Sequence, residues 1–478
     1  MAFCVNPASQ GNFTFGQTVA GFLTSPGLPF VDILSEQRIA CVFRKHGGLF
    51  GRTYTTAIVL WAFMSQVLRD GKEASCQSAV ARISSYLTGR ALGDVAPDTR
   101  DYCRARAKLS EDALHELTSG VANEAQRLIE PQHLWKGRHA KLVDGSTFMM
   151  PDTPRNQAAY PQNPAQKAGI GFPIARFVVV ISLATACVVD CAIARYKGKE
   201  TGETALLRQI IGCFAKGDVA VADRFYGNYW MIVLLMQAGV DVCFRKHQAR
   251  HTDFRRGRRL GKDDHIVSWH RPGRPPWMSK EMYDSMPKSI ELREIRYVIT
   301  KPGRKQDPFV IVTTMTDIEG ADAVQYEDLA ELFGFRWSAE LDIRSIKTHM
   351  NLNHLRCKSP EMVRKEFWVT MLAYNAIRTT ALGSAWICGT RPREVSFVSC
   401  CQFVLAAWDL IDTLTRTARR SYCVSRLEQI GKCVVGKRPG RFEPRVRKKR
   451  GSNYNLMMQP REVLRARLAA GDNSFETK

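Results

Sequence analysis

For a chain of 478 residues this one is poor in acid: 46 Asp and Glu stand against 69 Lys and Arg, a formal charge of +23 at pH 7. It also lacks a long apolar run. The longest, Phe177 to Val189, has 13 residues and stops at Asp190, short of the roughly 18 needed to cross a bilayer, so no membrane role is expected. The opening MAFCVNPASQ has no basic stretch leading into an apolar one, and a secretory signal is not expected. None of the 14 cysteines forms a Cys-x-x-Cys pair; the closest are Cys400–Cys401 and Cys187–Cys191. Zinc modules need two close ligand pairs, so that class is excluded. Free thiols in a reducing cytoplasm are the expectation. What is present suits folded domains rather than disorder: 45% of residues are hydrophobic and 24% charged. At about 100–200 residues per domain, the length predicts two to four of them.

An excess of +23 calls for a polyanion, and nucleic acid is the leading class. The excess is unevenly spread. The last 48 residues carry 13 basic and 4 acidic residues, so a tenth of the chain holds over a third of it. Within 437–450, Lys437, Arg438, Arg441, Arg445, Arg447, Lys448, Lys449 and Arg450 face the single acid Glu443, punctuated by Pro439, Gly440 and Pro444. That pattern reads as an extended arm tracking phosphates, with a solvated tail as the competing reading. A second basic run, Arg245 to Lys262, includes His247 and His251. Their spacing lacks the Glu of a zinc-protease helix, which leaves DNA contact or plain surface.

The pattern changes along the chain. Residues 1–130 read as a mostly helical domain, with amphipathic stretches at Tyr54–Leu68, Ser75–Leu87 and Thr99–Leu109; DNA-end binding competes there with generic packing. From 131 to 244, β-rich runs give way to strand–helix alternation, which indicates an α/β domain with a mixed sheet. Ala175–Val189 suits one bent strand or two. Residues 245–320 interrupt this with a basic, β-rich insertion holding Trp269 and Trp277. Helical patterns resume over 321–380 and continue, with breaks, into 381–478.

Three acids stand out. Asp144 follows an apolar strand and precedes Gly145; Asp-Gly is also a strong turn dipeptide. Asp223 ends the buried strand VAVAD and is followed by Arg224. Carboxylates at such strand ends face the crevices of α/β sheets, and capping of the next helix is the competing role. Glu340 lies in ELFGFRWSAELDIRSIKTHM. Treated as one ideal helix, that segment places Phe333, Arg336, Glu340 and Lys347 in one band beside an apolar stripe. A surface row of ion pairs would look the same.

LVDGSTFMMPDTPRNQAAYPQ, VAVADRFYGNYW and FRWSAELDIRSIK together resemble the three catalytic blocks of bacterial DDE transposases of the insertion-sequence-four group. That family's third block reads Tyr, two residues, Arg, three residues, Glu, six residues, Lys. Phe333, Arg336, Glu340 and Lys347 keep each interval, with Phe in place of Tyr. The likeness covers about 140 to 375, and RPGRFEPRVRKKR resembles the family's C-terminal end. It implies an RNase H-like α/β core completed by the Glu340 helix after the insertion. It implies that Asp144, Asp223 and Glu340 are catalytic and hold Mg²⁺ (or Mn²⁺). Arg336, Lys347, Phe333, Arg224, Lys448, Lys449 and Arg450 are the expected DNA contacts. The implied partners are double-stranded DNA (terminal inverted repeats and target) and a second copy in a paired-end homodimer, in the bacterial cytoplasm at the nucleoid. A silent transposase-derived regulator and a structure-specific nuclease on the same core are the alternatives.

Overall fold

The computed structural model describes residues 36–298, 308–410, 414–436 and 455–475, apart from Arg52, Arg90 and Asp409. The basic arm, with Lys448, Lys449 and Arg450, lies outside the described residues. The centre of the fold is a nine-stranded sheet, with β1 Ala140–Met149, β2 Ile174–Ser182, β3 Val188–Arg195, β4 Val219–Ala222, β5 Asp241–Arg245, β6 Arg258–Gly261, β7 Asp264–His270, β8 Ser289–Tyr297 and β9 Phe309–Thr313. Its order is β3-β2-β1-β4-β5-β9-β8-β7-β6. β1, β4 and β5 run parallel, while β2 and β3 run antiparallel to their neighbours. Three antiparallel strands, followed by two parallel to β1 that are reached through helices, make the five-stranded RNase H-like core.

Alternation along each strand sorts the core into layers. On one face Phe177, Val179 and Ile181 of β2 pack with the N-terminal helices and the long Pro360–Cys388 helix. Leu142 of β1 and Val221 of β4 share that face, against Leu329, Leu332 and Ala339. On the other, Val143, Val178, Val180, Ala220 and Ala222 pack with the Glu203–Gln209 and Tyr229–Gln237 helices. The Thr56–Val67 helix, TAIVLWAFMSQV, is apolar almost all round and is buried along its whole length, as such a sequence must be. Thr55, Ser75 and Ser110 each accept a backbone N–H at a helix start, satisfying donors that the helix leaves free. Asn375, deep in the long helix, donates to Thr118 O and Val188 O and accepts from Val188 N. One amide thus joins the helical layer to the sheet.

Several sequence expectations are resolved by these contacts. Ala175–Val189 forms two strands, turning at Ala186, whose φ is 58°. Asp144-Gly145 is no turn: it lies inside β1, paired with Val179 and Val178. The 245–320 strands do not build a sheet of their own. β9 pairs antiparallel with β5, Cys243 opposite Thr313, and β8, β7 and β6 continue outward. The open edge of β5 is thereby paired instead of exposed. Inside this extension Lys246 donates to both oxygens of Glu294 at 2.7 and 2.6 Å, and Trp269 Nε1 donates to Glu294 Oε1 at 2.8 Å. Trp269 is accordingly a core residue. No helix among the described residues is long and apolar enough to cross a membrane.

Candidate active site

The register of two parallel strands brings the first two acids together. Val143 of β1 stands beside Ala222 of β4, so the next residues, Asp144 and Asp223, emerge at the same level on adjacent strands, about 5 Å apart in backbone spacing. The third acid comes from the layer above. The Trp337–Arg344 helix buries Ala339 and Ile343 toward the sheet, which sets Glu340 on its flank. All three line one open cavity of about 440 Å³, together with Ser146, Arg336, Arg344, Lys347 and Asn353. A larger cleft of about 820 Å³ lies at the opposite ends of β1 and β4, lined by His46, His115, His139, Lys141 and Asp190, and contains none of these acids.

The cavity mixes acids with cations. Arg336 Nη2 donates to Glu340 Oε1 at 2.8 Å, and Lys347 Nζ donates to Ser146 Oγ at 2.9 Å. Burial lowers the Lys347 ammonium from its ordinary value. Asp144 is pushed up to about 6, chiefly by burial; the Gly145 N–H and Arg336 oppose the rise, and the nearby Glu340 and Glu203 add to it. No three His, Cys, Asp or Glu side chains among the described residues close to coordinating range around one point. Glu340 is paired with Arg336, and the like charge of Glu340 and Glu203 is one cause of the raised value of Asp144. A desolvated carboxylate beside others of its kind, all hard oxygen donors, fits a divalent cation of the Mg²⁺ or Mn²⁺ type.

Other expected residues are placed differently. Segment 326–350 is not one helix: backbone bonds from Phe335 N to Leu332 O and from Arg336 N to Phe333 O tighten the chain and end the Tyr326–Gly334 helix. After Arg344 the helix widens into a π turn over Ser345–His349, which carries Lys347. Phe333 therefore leaves the band expected for it. It is 6% exposed, with its ring 5.2 Å from Phe309 and the Arg336 guanidinium 5.9 Å from its centre. Its ring is packed beneath Arg336 and is nearly buried, unlike the exposed position the ideal helix gives it. Arg224 donates to Gln248 Oε1 in the insertion at 2.9 Å and does not line the cavity. Trp277 lies under the Arg208 guanidinium at 4.0 Å.

Three residues escaped sequence reasoning. Arg344 and Asn353 enter the cavity because the π turn redirects the chain, and Asn353 O then accepts from Met149 N of β1. Glu203, at the start of its helix, lies against Gly145, and the Tyr226 hydroxyl donates to it at 3.3 Å. No local motif marks it.

Comparison with known proteins identifies the family. Residues 135–376, which contain all three acids, match the model of the transposase DDE domain. The chain is 25% identical over 390 residues to the transposase InsG for insertion sequence element IS4 of Escherichia coli strain K12, covering 80% of this chain and 83% of that protein. Among solved structures it is similar to the piggyBac transposase synaptic complex with hairpin DNA, at 10% identity and a TM-score of 0.42, over 90% of this chain and 87% of that one. A likeness that distant adds no weight.

Proposed function

Because this chain belongs to the transposase DDE-domain family and is a DNA-cleaving transposase, we propose that it acts on a bacterial insertion sequence. In this reading it binds the terminal inverted repeats as a homodimer in the cytoplasm, cuts the DNA strands at the element's ends and transfers them to target DNA. Asp144, Asp223 and Glu340 would hold Mg²⁺ (or Mn²⁺). A bound pair of such cations supplies an activated water or 3′-hydroxyl and neutralises the leaving oxygen. The observation that carries the reading is the meeting of these three acids in one cavity with Arg336 and Lys347.

The chain's own groups have separate tasks. Lys347, on a π turn and anchored to Ser146, offers a fixed positive charge to a phosphate beside the scissile bond. Arg336 is held over Phe333 and paired with Glu340. With Glu340 among the residues that would hold a cation, the Arg336 guanidinium would be free for phosphate, where its fork can bind two oxygens. The Gly145 N–H, bonded to Asp144 Oδ1 at 2.8 Å, fixes the orientation of the first acid. We further assign residues 131–244 and 321–380 to the catalytic core and 245–320 to its insertion. Residues 1–130 and the 437–450 arm supply end-binding and phosphate-tracking surface. The test is metal-dependent cleavage of DNA carrying the element's terminal repeats, by wild type and by Asp223→Asn. Cleavage in Mg²⁺ or Mn²⁺ that the substitution abolishes, with end binding kept, supports the reading. Equal cleavage by both refutes the site, and specific end binding without cleavage by either indicates a regulator.

A further inference from the structure

Gly145 separates Asp144 from a fourth acid. Along β1, Asp144 faces the Glu340 layer and the next residue faces the opposite one, where the Glu203–Gln209 helix begins. A Cβ on Gly145 would lie 2.5 Å from Glu203 Cδ and 2.8 Å from its Oε1. A side chain there would have to push the carboxylate aside, so the missing one is what admits it in this position. Gly145 is not there for its backbone. It is regularly paired with Val178 and does not adopt the left-handed conformation that favours glycine. A glycine inside a strand weakens it and marks a close approach; here the approaching group is charged. The Tyr226 hydroxyl fastens Glu203 Oε2 from the other side at 3.3 Å, and Tyr226 is 1% exposed, on the turn that follows Asp223. None of the ion pairs among the described residues involves Glu203. It is thus fixed between the strand of Asp144 and the turn of Asp223 with no cation of its own.

We propose that Glu203 is a fourth carboxylate of the metal centre, reaching it past Gly145 and held by Tyr226. The inference rests on the reading that Asp144 and Asp223 hold divalent cations. Two such cations carry four positive charges, and Arg336 and Lys347 add to them, so three carboxylates leave the centre short of negative charge. A fourth hard oxygen donor corrects the balance before a phosphate arrives. Its place on the far side of Gly145 also makes that position sensitive to a single methyl group.

The experiment is titration of Mn²⁺ alone into the full-length protein, read by electron paramagnetic resonance, for wild type, Glu203→Gln, Gly145→Ala and Asp223→Asn. Glu203→Gln keeps the size of the side chain and its bond from Tyr226 and removes only the charge. It is expected to weaken Mn²⁺ binding about 10-fold, with metal-free melting unchanged. Gly145→Ala leaves the acid intact but displaces it, and the same weakening is expected. Glu203→Gln combined with Gly145→Ala should bind no more weakly than the more affected of the two single variants. Wild-type affinity in both Glu203→Gln and Gly145→Ala, with loss in Asp223→Asn, overturns the assignment of Glu203 and leaves the parent reading standing. Wild-type affinity in Asp223→Asn overturns the parent reading itself. Should Glu203→Gln fail to fold, Gly145→Ala decides alone.

Discussion

Asp342 lies two residues beyond Glu340 and faces away from the cavity, 2% exposed. Arg378 of the long helix donates to its Oδ1 at 2.9 Å, and Arg393 donates to its Oδ2 at 2.7 Å. Arg378 is 6% exposed and also donates to the Tyr374 hydroxyl, while Arg393 reaches Ser182 O at the end of β2. One carboxylate therefore ties the Glu340 helix to the long helix and the sheet. Asp342→Ala leaves two guanidinium groups facing each other over a vacated acid, one of them buried. Breaking a buried pair from one side costs about 3–5 kcal/mol. At roughly 2–4 °C per kcal/mol for a domain of this kind, the melting temperature should fall by about 6–20 °C. Differential scanning calorimetry of the full chain measures this directly. Replacing partners together, with Asp342→Leu and Arg378→Met, should cost less than Asp342→Ala alone, because fewer charges are stranded. A loss below about 1 kcal/mol in Asp342→Ala would place the cluster with ordinary surface pairs and refute the reasoning.

Other expectations are shorter to state. His115 Nε2 meets Asp190 Oδ1 at 2.7 Å, joining the Glu111–Leu128 helix to β3, and that bond raises the imidazole above its ordinary pKa. A raised folded-state pKa stabilises fully below the unfolded value, about 6.5, and the gain is lost as pH rises through the folded value. Melting temperatures across that window should fall with pH more steeply in wild type than in Asp190→Asn; parallel curves would contradict it. Lys347→Ala should cut end cleavage by about 10²-fold and lower the slope of log affinity against log salt by about one; an unchanged slope would mean that Lys347 touches no phosphate. Gly227→Ala places a Cβ 2.5 Å from Arg245 O and so displaces the turn after Asp223. A destabilisation of about 1–3 kcal/mol is expected, measurable by urea unfolding, with cleavage reduced more than folding.

How much was legible follows from how local each feature is. VAVAD reads as a buried strand closed by an acid because four apolar residues and their breaker are consecutive, and β4 ends at Ala222 as that pattern requires. The interval from Arg336 to Glu340 is one helical turn, and it is realised as an i,i+4 pair. Phe333 shows the limit of the same arithmetic. Ideal-helix angles assume an unbroken helix, and the tight bonds at Phe335 and Arg336 break it for reasons of packing: Phe333 must reach Phe309 on β9, far away in sequence. The π turn that aims Lys347 at Ser146 was equally hidden, since no residue type specifies it. Asp144 was ambiguous for the opposite reason. Asp-Gly is locally a turn, and only pairing with Val179 and Val178 makes it strand. Glu203 illustrates the remaining gap. Its only trace in the sequence is a glycine where a strand would prefer a side chain, and a glycine has many explanations until the neighbouring helix is in place. Acids announced by short motifs are thus readable early. Groups that approach those acids from the far side of a sheet, as Glu203 does at Gly145, become visible only when the register of β1 against β4 and the layer behind them are both fixed.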